Sequence, residues 1–344
     1  MVEDEATGEV KWSVQAHSLR SDAYVAMSPN GRFVASVGFR DDDWKIWDAA
    51  GGELHRVVAT HYATGSRKRG LCEVAFSPCG QRLATRGFDG AVILWDARTG
   101  EAEHRMHQSE FSRAIAFSAD GTRLANGTAR AGNSSIDVFD TTTGEWLRTI
   151  EEDHYVTCVS FSPTITSMFA TAGYDSQINL WDIDSGEMTR KIEENGSACC
   201  RIAIFSPDGR TIATVGVSDE KGNVQLMDAG SGALRSKIVA HECFITCAAW
   251  CPYNGSKLAS GSHDGTCKVW DSTTGALLRT IELLPPSGGI RGRETFASMA
   301  WGRNWVRDTQ RAMAFAMGQH PQLGAGSQVL QLEVGVVRMI LDRV

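Results

Sequence analysis

The sequence predicts an all-β fold assembled from repeated units of four short strands. Three markers running in phase carry that prediction. A Trp-Asp dipeptide occurs at 47–48, 95–96, 181–182 and 270–271, with degenerate copies at Phe139-Asp140 and Met227-Asp228. These six positions are spaced by 48, 44, 42, 46 and 43 residues. A Ser-Pro-x-Gly-like turn precedes each: SPNG at 28–31, SPCG at 77–80, SADG at 118–121, SPTI at 162–165, SPDG at 206–209 and CPYN at 251–254. A Thr/Ser-Gly-Glu/Ala triplet follows five of the six, at 99–101, 143–145, 185–187, 231–233 and 274–276. A fixed period of 40–50 residues is the signature of a repeat architecture, whose core grows by addition of units.

The fourth copy shows how each element is read. Val156–Phe161 is rich in β-branched and apolar residues and ends in a Ser-Pro turn. Met168–Ala172 is a second run, closed by Gly173-Tyr174-Asp175. Ile178–Trp181 is a third, closed by Asp184-Ser185-Gly186, and Met188–Ile192 is a fourth. Turn residues at fixed offsets and the lack of a long helical period leave only strands. The repeats fall near 17–56, 61–106, 107–150, 154–194, 195–239 and 241–283. The remainder, 290–344, offers three more strands: Phe296–Trp301, Ala312–Met317 and Val329–Glu333. Its fourth strand has two claimants, residues 9–14 within the stretch 7–14, and residues 336–340. The family pattern named next favours the first.

The dipeptide, the turn and the period resemble those of the WD-repeat family over about residues 9–280. The resemblance implies a single seven-bladed β-propeller of four-stranded antiparallel blades spanning 1–344. It also implies a buried tetrad in each good blade: His before the first strand, Ser/Thr in the second, Asp in the tight turn and Trp in the third. Carried over, these are His154, Thr171, Asp175 and Trp181, then His241, Ser260, Asp264 and Trp270. His17, Ser36, Asp41 and Trp47 fit the first repeat, and Thr85, Asp89 and Trp95 the second, with His61 displaced by an insertion. An indole N–H must find a partner when buried, so a fully paired network specifies one geometry. Phe139 and Met227 cannot donate. Blades three and five are therefore expected to be held by packing alone, with Asn126 and Thr214 outside any tetrad and longer loops through 129–134 and 218–223.

Composition excludes several classes. The chain of 344 residues is 42% hydrophobic and 22% charged, which is neither disordered nor membrane-spanning. A net charge of −7 disfavours a nucleic-acid coat. The N-terminus, Met1-Val2-Glu3-Asp4-Glu5, lacks the basic start and apolar run of a secretory signal. Nine scattered Cys suggest free thiols, hence cytoplasm or nucleus. No catalytic residue, cofactor or metal is expected. Cys243, Cys247 and Cys251 stand four apart on a strand, about 13 Å between neighbours, whereas zinc needs its ligands within about 2.3 Å of one point. No P-loop, G-x-S-x-G elbow or H-E-x-x-H occurs.

The function expected is that of a non-catalytic scaffold or adaptor, monomeric on its own. Its partners would be other proteins or peptides, bound on the upper face that carries the tight turns. The residues placed there are Arg40, Phe88, Tyr174 and His263 before the tetrad Asp, and Phe111, Tyr155 and Phe244 before the first strands. Arg113 and Arg201 lie two further along, as do Thr157 and Thr246. Aromatics with Arg between them are hot-spot chemistry. The stretch Trp95-Asp96-Ala97-Arg98 is similar to the WDxR box of substrate receptors in cullin-type ubiquitin ligases. That alternative would give Arg98 the adaptor contact, although Arg86 stands where the box has a small residue. Arg67-Lys68-Arg69 reads as a solvated loop.

Overall fold

The computed structural model describes the chain outside residues 1, 5–9, 13–15, 18–22, 39–40, 42, 61–69, 88–89, 108–111, 131–132, 154, 174–175, 194–199, 219–220, 253–254, 283–293, 303–309, 320–336 and 344. For 2–4, 10–12, 23, 107, 112–113, 129–130, 133, 217–218 and from 294 onward it describes the backbone alone.

Six four-stranded antiparallel sheets follow one another along the chain, each formed by consecutive strands. The turn between first and second strands is set by Ser-Pro-x-Gly chemistry. In blade three, Ser118 Oγ donates to Asp120 Oδ1 at 2.6 Å and accepts the Arg123 amide at 3.0 Å. The same Ser bonds recur in blades one and five. Blade four has Ile165 where blades one, two, three and five have Gly, and its turn is one residue longer: Ser162 N reaches Met168 O, whereas Ser118 N reaches Arg123 O. The turn between third and fourth strands is held by the Asp of the dipeptide. Asp140 Oδ1 takes the Thr142 and Thr143 amides at 2.7 and 2.9 Å. Gly144 closes it at φ 74°, in the left-handed region. A Cβ there would lie 2.6 Å from the His104 ring of the preceding blade's outer strand.

The core lies between blades. Ile136, Val138 and Ile150 of blade three pack on Val159, Phe169 and Trp181 of blade four. Leu180 and Ile192 of blade four then pack on Phe205, Ile212 and Met227 of blade five. The first strands contact one another in sequence around a ring. Polar ties cross between them, such as Trp250 Nε1 donating to Ile204 O at 3.1 Å.

The expectation of seven four-stranded antiparallel blades is corrected: six blades have that form. The remaining sheet has five strands, in the order Val10–Trp12, Val2–Asp4, Val337–Arg343, Gln310–Gln319 and Glu294–Gly302. It packs between blades six and one through Glu294–Gly302. Val2–Asp4 runs parallel to Val337–Arg343, with Val2 opposite Met339. The sequence offered one outer strand too many. The sheet absorbs it by widening: Val337–Arg343 takes third place, Val2–Asp4 enters beside it, and Val10–Trp12 goes to the edge. The stretch 329–333, expected as a strand, lies outside the described residues.

Two further expectations are corrected in blades three and five. The extra residues there extend strands rather than loops. Arg123–Arg130 pairs with Asn133–Asp140, and Thr211–Ser218 with Lys221–Asp228, through eight residue pairs each. In blade four the corresponding ladder ends after five pairs, at Ala172 opposite Ile178. Nor are these blades held by packing alone. Asn126 faces Asp137 and Thr214 faces Gln225, all four buried polar side chains. Thr149 Oγ1 donates to Asp137 Oδ1 at 2.6 Å.

Candidate functional site

The tetrads fix the upper face, so the site is built from them. Blade six is complete. Trp270 Nε1 donates to Ser260 Oγ at 2.9 Å, Ser260 Oγ lies 2.7 Å from His241 Nε2, and His241 Nδ1 lies 2.8 Å from Asp264 Oδ2. Burial opposes ionisation of Asp264. Hydrogen bonds from His241 and Thr266 outweigh it and hold the carboxyl down at about 2. Blade one repeats the set, with Trp47 to Ser36 at 2.8 Å, Ser36 to His17 at 2.9 Å and His17 to Asp41 at 2.8 Å. In blade two Trp95 donates to Thr85 Oγ1 at 2.8 Å, while His61 and Asp89 lie outside the described residues.

Blade four brings a carboxylate to its Trp–Thr pair. Trp181 and Thr171 are in place, 3.1 Å apart, but His154 and Asp175 lie outside the described residues. A carboxylate meets the hydroxyl here, as imidazole does in blades one and six. Glu152, 4% exposed, accepts from Thr171 Oγ1 and from Trp181 Nε1 at 2.9 Å on Oε1. Its Oε2 accepts from Asn179 Nδ2 at 3.0 Å. The family pattern gave no reason to single out Glu152. Strand alternation does, because Ile150 and Glu152 lie on one face and both are buried.

Of the residues expected to bind on this face, Arg40, Phe88, Phe111 and Tyr174 lie outside the described residues, and Arg113 is described in backbone only. Two of the others are brought together. Phe244 is 41% exposed, and its ring meets that of His263 edge-on, centroids 6.5 Å apart at 87°. The backbone locks this pair: His263 N donates to Phe244 O at 2.9 Å, as does Ser262 Oγ, also at 2.9 Å. Tyr155 and Arg201 are half-buried on neighbouring blades. Thr157 is a tie, donating to Arg201 O at 2.8 Å across the blade boundary. Thr246 donates to Gly261 O at 3.2 Å within blade six.

Arg98 lies on the opposite face. Asp96 Oδ1 takes the Arg98 and Thr99 amides at 2.9 and 2.6 Å, and Arg56 Nη1 of blade one donates to Thr99 O at 2.7 Å. This rigid turn leaves the Arg98 side chain exposed. Arg86 is buried instead: its Nε donates to Glu73 Oε2 at 3.2 Å, and the same oxygen accepts the Ile115 amide of blade three at 3.1 Å. Burial raises the Glu73 carboxyl despite Arg86 beside it. Burial also pushes the Cys247 thiol up to about 12, and Cys251 is fully buried, as side chains of a core are.

A ring of antiparallel blades stapled by Trp–Ser/Thr–His–Asp networks defines a WD-type β-propeller. A model of the WD domain, G-beta repeat, matches residues 8–48, 56–96, 144–182 and 232–271, the segments ending at the four Trp-Asp pairs. The chain belongs to the WD-repeat family. It is similar to a ribosome biogenesis protein WDR12 homolog of Chlamydomonas reinhardtii, 30% identical over 249 residues, covering 67% of this chain and 49% of that protein. It is also similar to the nuclear distribution protein PAC1 of Coccidioides posadasii, 29% over 280 residues (72% and 56%). A WD repeat-containing protein 26 homolog of Arabidopsis thaliana matches at 23% over 291 residues (72% and 48%). The chain spans about half the length of these relatives.

Proposed function

We infer that the protein is a non-catalytic scaffold that captures a peptide or exposed segment of a partner protein on the upper face, in the cytoplasm or nucleus. The Phe244–His263 pair carries this reading. It combines an exposed aromatic surface with a backbone-locked geometry, so little conformational entropy is lost on contact. Relatives named for ribosome biogenesis and nuclear distribution, rather than for a reaction, support it. Ala substitution at Tyr155, Tyr174 and Phe244 together should weaken partner capture at least tenfold in affinity purification with mass spectrometry, with circular dichroism unchanged. Undiminished capture by the folded triple variant would place the binding surface elsewhere.

A second reading uses the other face. Arg98 projects from a rigid turn and makes no ion pair among the described residues, which suits a contact with an acidic ligase adaptor. Arg98→Ala should then lose co-purifying adaptor, and equal recovery with wild type would remove the idea.

A further inference from the structure

Blades one and six are built alike around their histidines, and one difference between them concerns the ring nitrogen itself. In blade six, Thr266 stands four residues before Trp270. Its hydroxyl donates to Asp264 Oδ1 at 2.6 Å and lies 3.2 Å from His241 Nδ1, so the cluster is closed. In blade one the same place, four before Trp47, holds Asp43. A carboxylate has no proton to give. Asp43 Oδ2 lies 3.5 Å from Lys45 Nζ, while Oδ1 is a buried atom without a hydrogen-bond partner, 3.7 Å from His17 Nδ1. Asp41 Oδ2 approaches the same nitrogen at 2.8 Å. All three possible ligand atoms lie within 4.8 Å of one another.

We propose that His17 Nδ1, Asp41 Oδ2 and Asp43 Oδ1 form a binding site for a zinc-class divalent cation, with the remaining coordination open to water or a partner's donor group. Ligands about 2.0–2.1 Å from a tetrahedral zinc stand about 3.3 Å apart. The two distances from His17 Nδ1, 2.8 and 3.7 Å, bracket that value, and the two carboxylate oxygens lie within 4.8 Å of each other. One imidazole with carboxylates is a donor set that zinc accepts. Charge points the same way. Two carboxylates face one ammonium, Lys45, which leaves room at the cluster for a second cation.

The second shell is also present. A metal-bound His orients its ring by donating from its other nitrogen. His17 Nε2 lies 2.9 Å from Ser36 Oγ, which has a second lone pair to offer beside the one taken by Trp47. Gly38 keeps the ligands together, since a Cβ there would lie 2.6 Å from Asp41 Oδ2 and 2.9 Å from His17 Cβ. Blade six has Ser262 at that place, its hydroxyl engaged with the Cys243 and Phe244 carbonyls. The ligands come from the entry to the first strand, the tight turn and the start of the third strand. The ion would therefore cross-tie three segments of blade one. The cysteine cluster of blade six, which suggested and then excluded a metal, takes no part.

The competing account is a proton: a charged His17 would satisfy both carboxylates without a metal. The chelator-stripped full-length chain, dialysed against micromolar Zn2+ and assayed for bound metal, separates the two. We expect one equivalent bound, a raised thermal midpoint with zinc, and visible ligand-field bands when Co2+ replaces it. Asp43→Thr, which copies blade six and closes the network, should fold normally and bind at least tenfold more weakly, with no zinc-dependent midpoint shift. Absence of stoichiometric uptake by the wild type, or equal uptake by folded Asp43→Thr, would overturn the proposal.

Discussion

Blade four and blade six solve the same problem with different chemistry. Each buries an indole on the third strand that bonds a hydroxyl on the second, Trp181 with Thr171 and Trp270 with Ser260. In blade six the next member is neutral or charged imidazole, oriented by a carboxylate nearer the surface, with Asp264 16% exposed. In blade four a carboxylate itself goes to the centre, 4% exposed, taking donors from Thr171, Trp181 and Asn179. What the propeller requires is an acceptor at that point, whatever group supplies it. The strand partner changes with it. Lys268 sits two residues before Trp270 and sends its ammonium to Ala240 O at 2.7 Å, whereas Asn179 at the same place turns its amide to Glu152. A buried carboxyl held by three donors tolerates less disturbance than a chain leading to solvent.

The largest effect is therefore expected at Glu152. Glu152→Ala removes the acceptor, leaves Asn179 Nδ2 without its carboxylate and opens a void, at a cost of about 3 kcal/mol. His241→Ala in blade six leaves Trp270 bonded to Ser260 and should cost about 2 kcal/mol. Urea unfolding midpoints with unchanged slopes measure both. A larger loss at His241 than at Glu152 would break the comparison. Glu152→Gln sharpens it: Oε1 survives as an acceptor, but its amide nitrogen faces that of Asn179, so the cost should fall between the two.

How much of this was legible beforehand depends on what kind of signal each residue gives. The Trp-Asp and Ser-Pro-x-Gly markers sit in turns whose bonds are local, within five residues, so the sequence spells them out. The tetrads of blades one and six followed because their partners keep the same offsets to within one residue. Glu152 belongs by chain to the outer strand of blade three but serves blade four. A reading repeat by repeat assigns it to neither. The five-stranded sheet escaped for a related reason: Val2–Asp4 pairs with residues some 337 positions away, and parallel pairing leaves no turn signal. In blades three and five the missing Trp was visible, but its replacement was not. Asp137 and Gln225 are polar residues in apolar strands, and only the register shows them facing Asn126 and Thr214. The Phe244–His263 contact lay between these extremes. Both residues were placed on the upper face, and the backbone bond that joins them comes from the fold.

The smallest expected effect is the acid limb of blade six, and it probes the same contrast from the surface side. The Asp264 carboxyl is held at about 2, below its ordinary 3.8, because His241 and Thr266 bond its charged form more strongly than burial opposes it. A depressed folded-state value stabilises the protein above the unfolded value and stops doing so as pH falls through the folded one. The contribution of Asp264 should thus be complete above about pH 4 and gone near pH 2, worth about 1 kcal/mol once solvent screening is allowed for. Other turn carboxylates, Asp96, Asp140 and Asp182 among them, are lowered by backbone amides, so the whole chain loses stability in acid. The difference between wild type and Asp264→Asn isolates the one group. That gap should be widest near pH 6 and close as the pH approaches 2. A gap that stays constant over this range would mean that Asp264 stabilises blade six by shape rather than by charge, as an uncharged member of the network would.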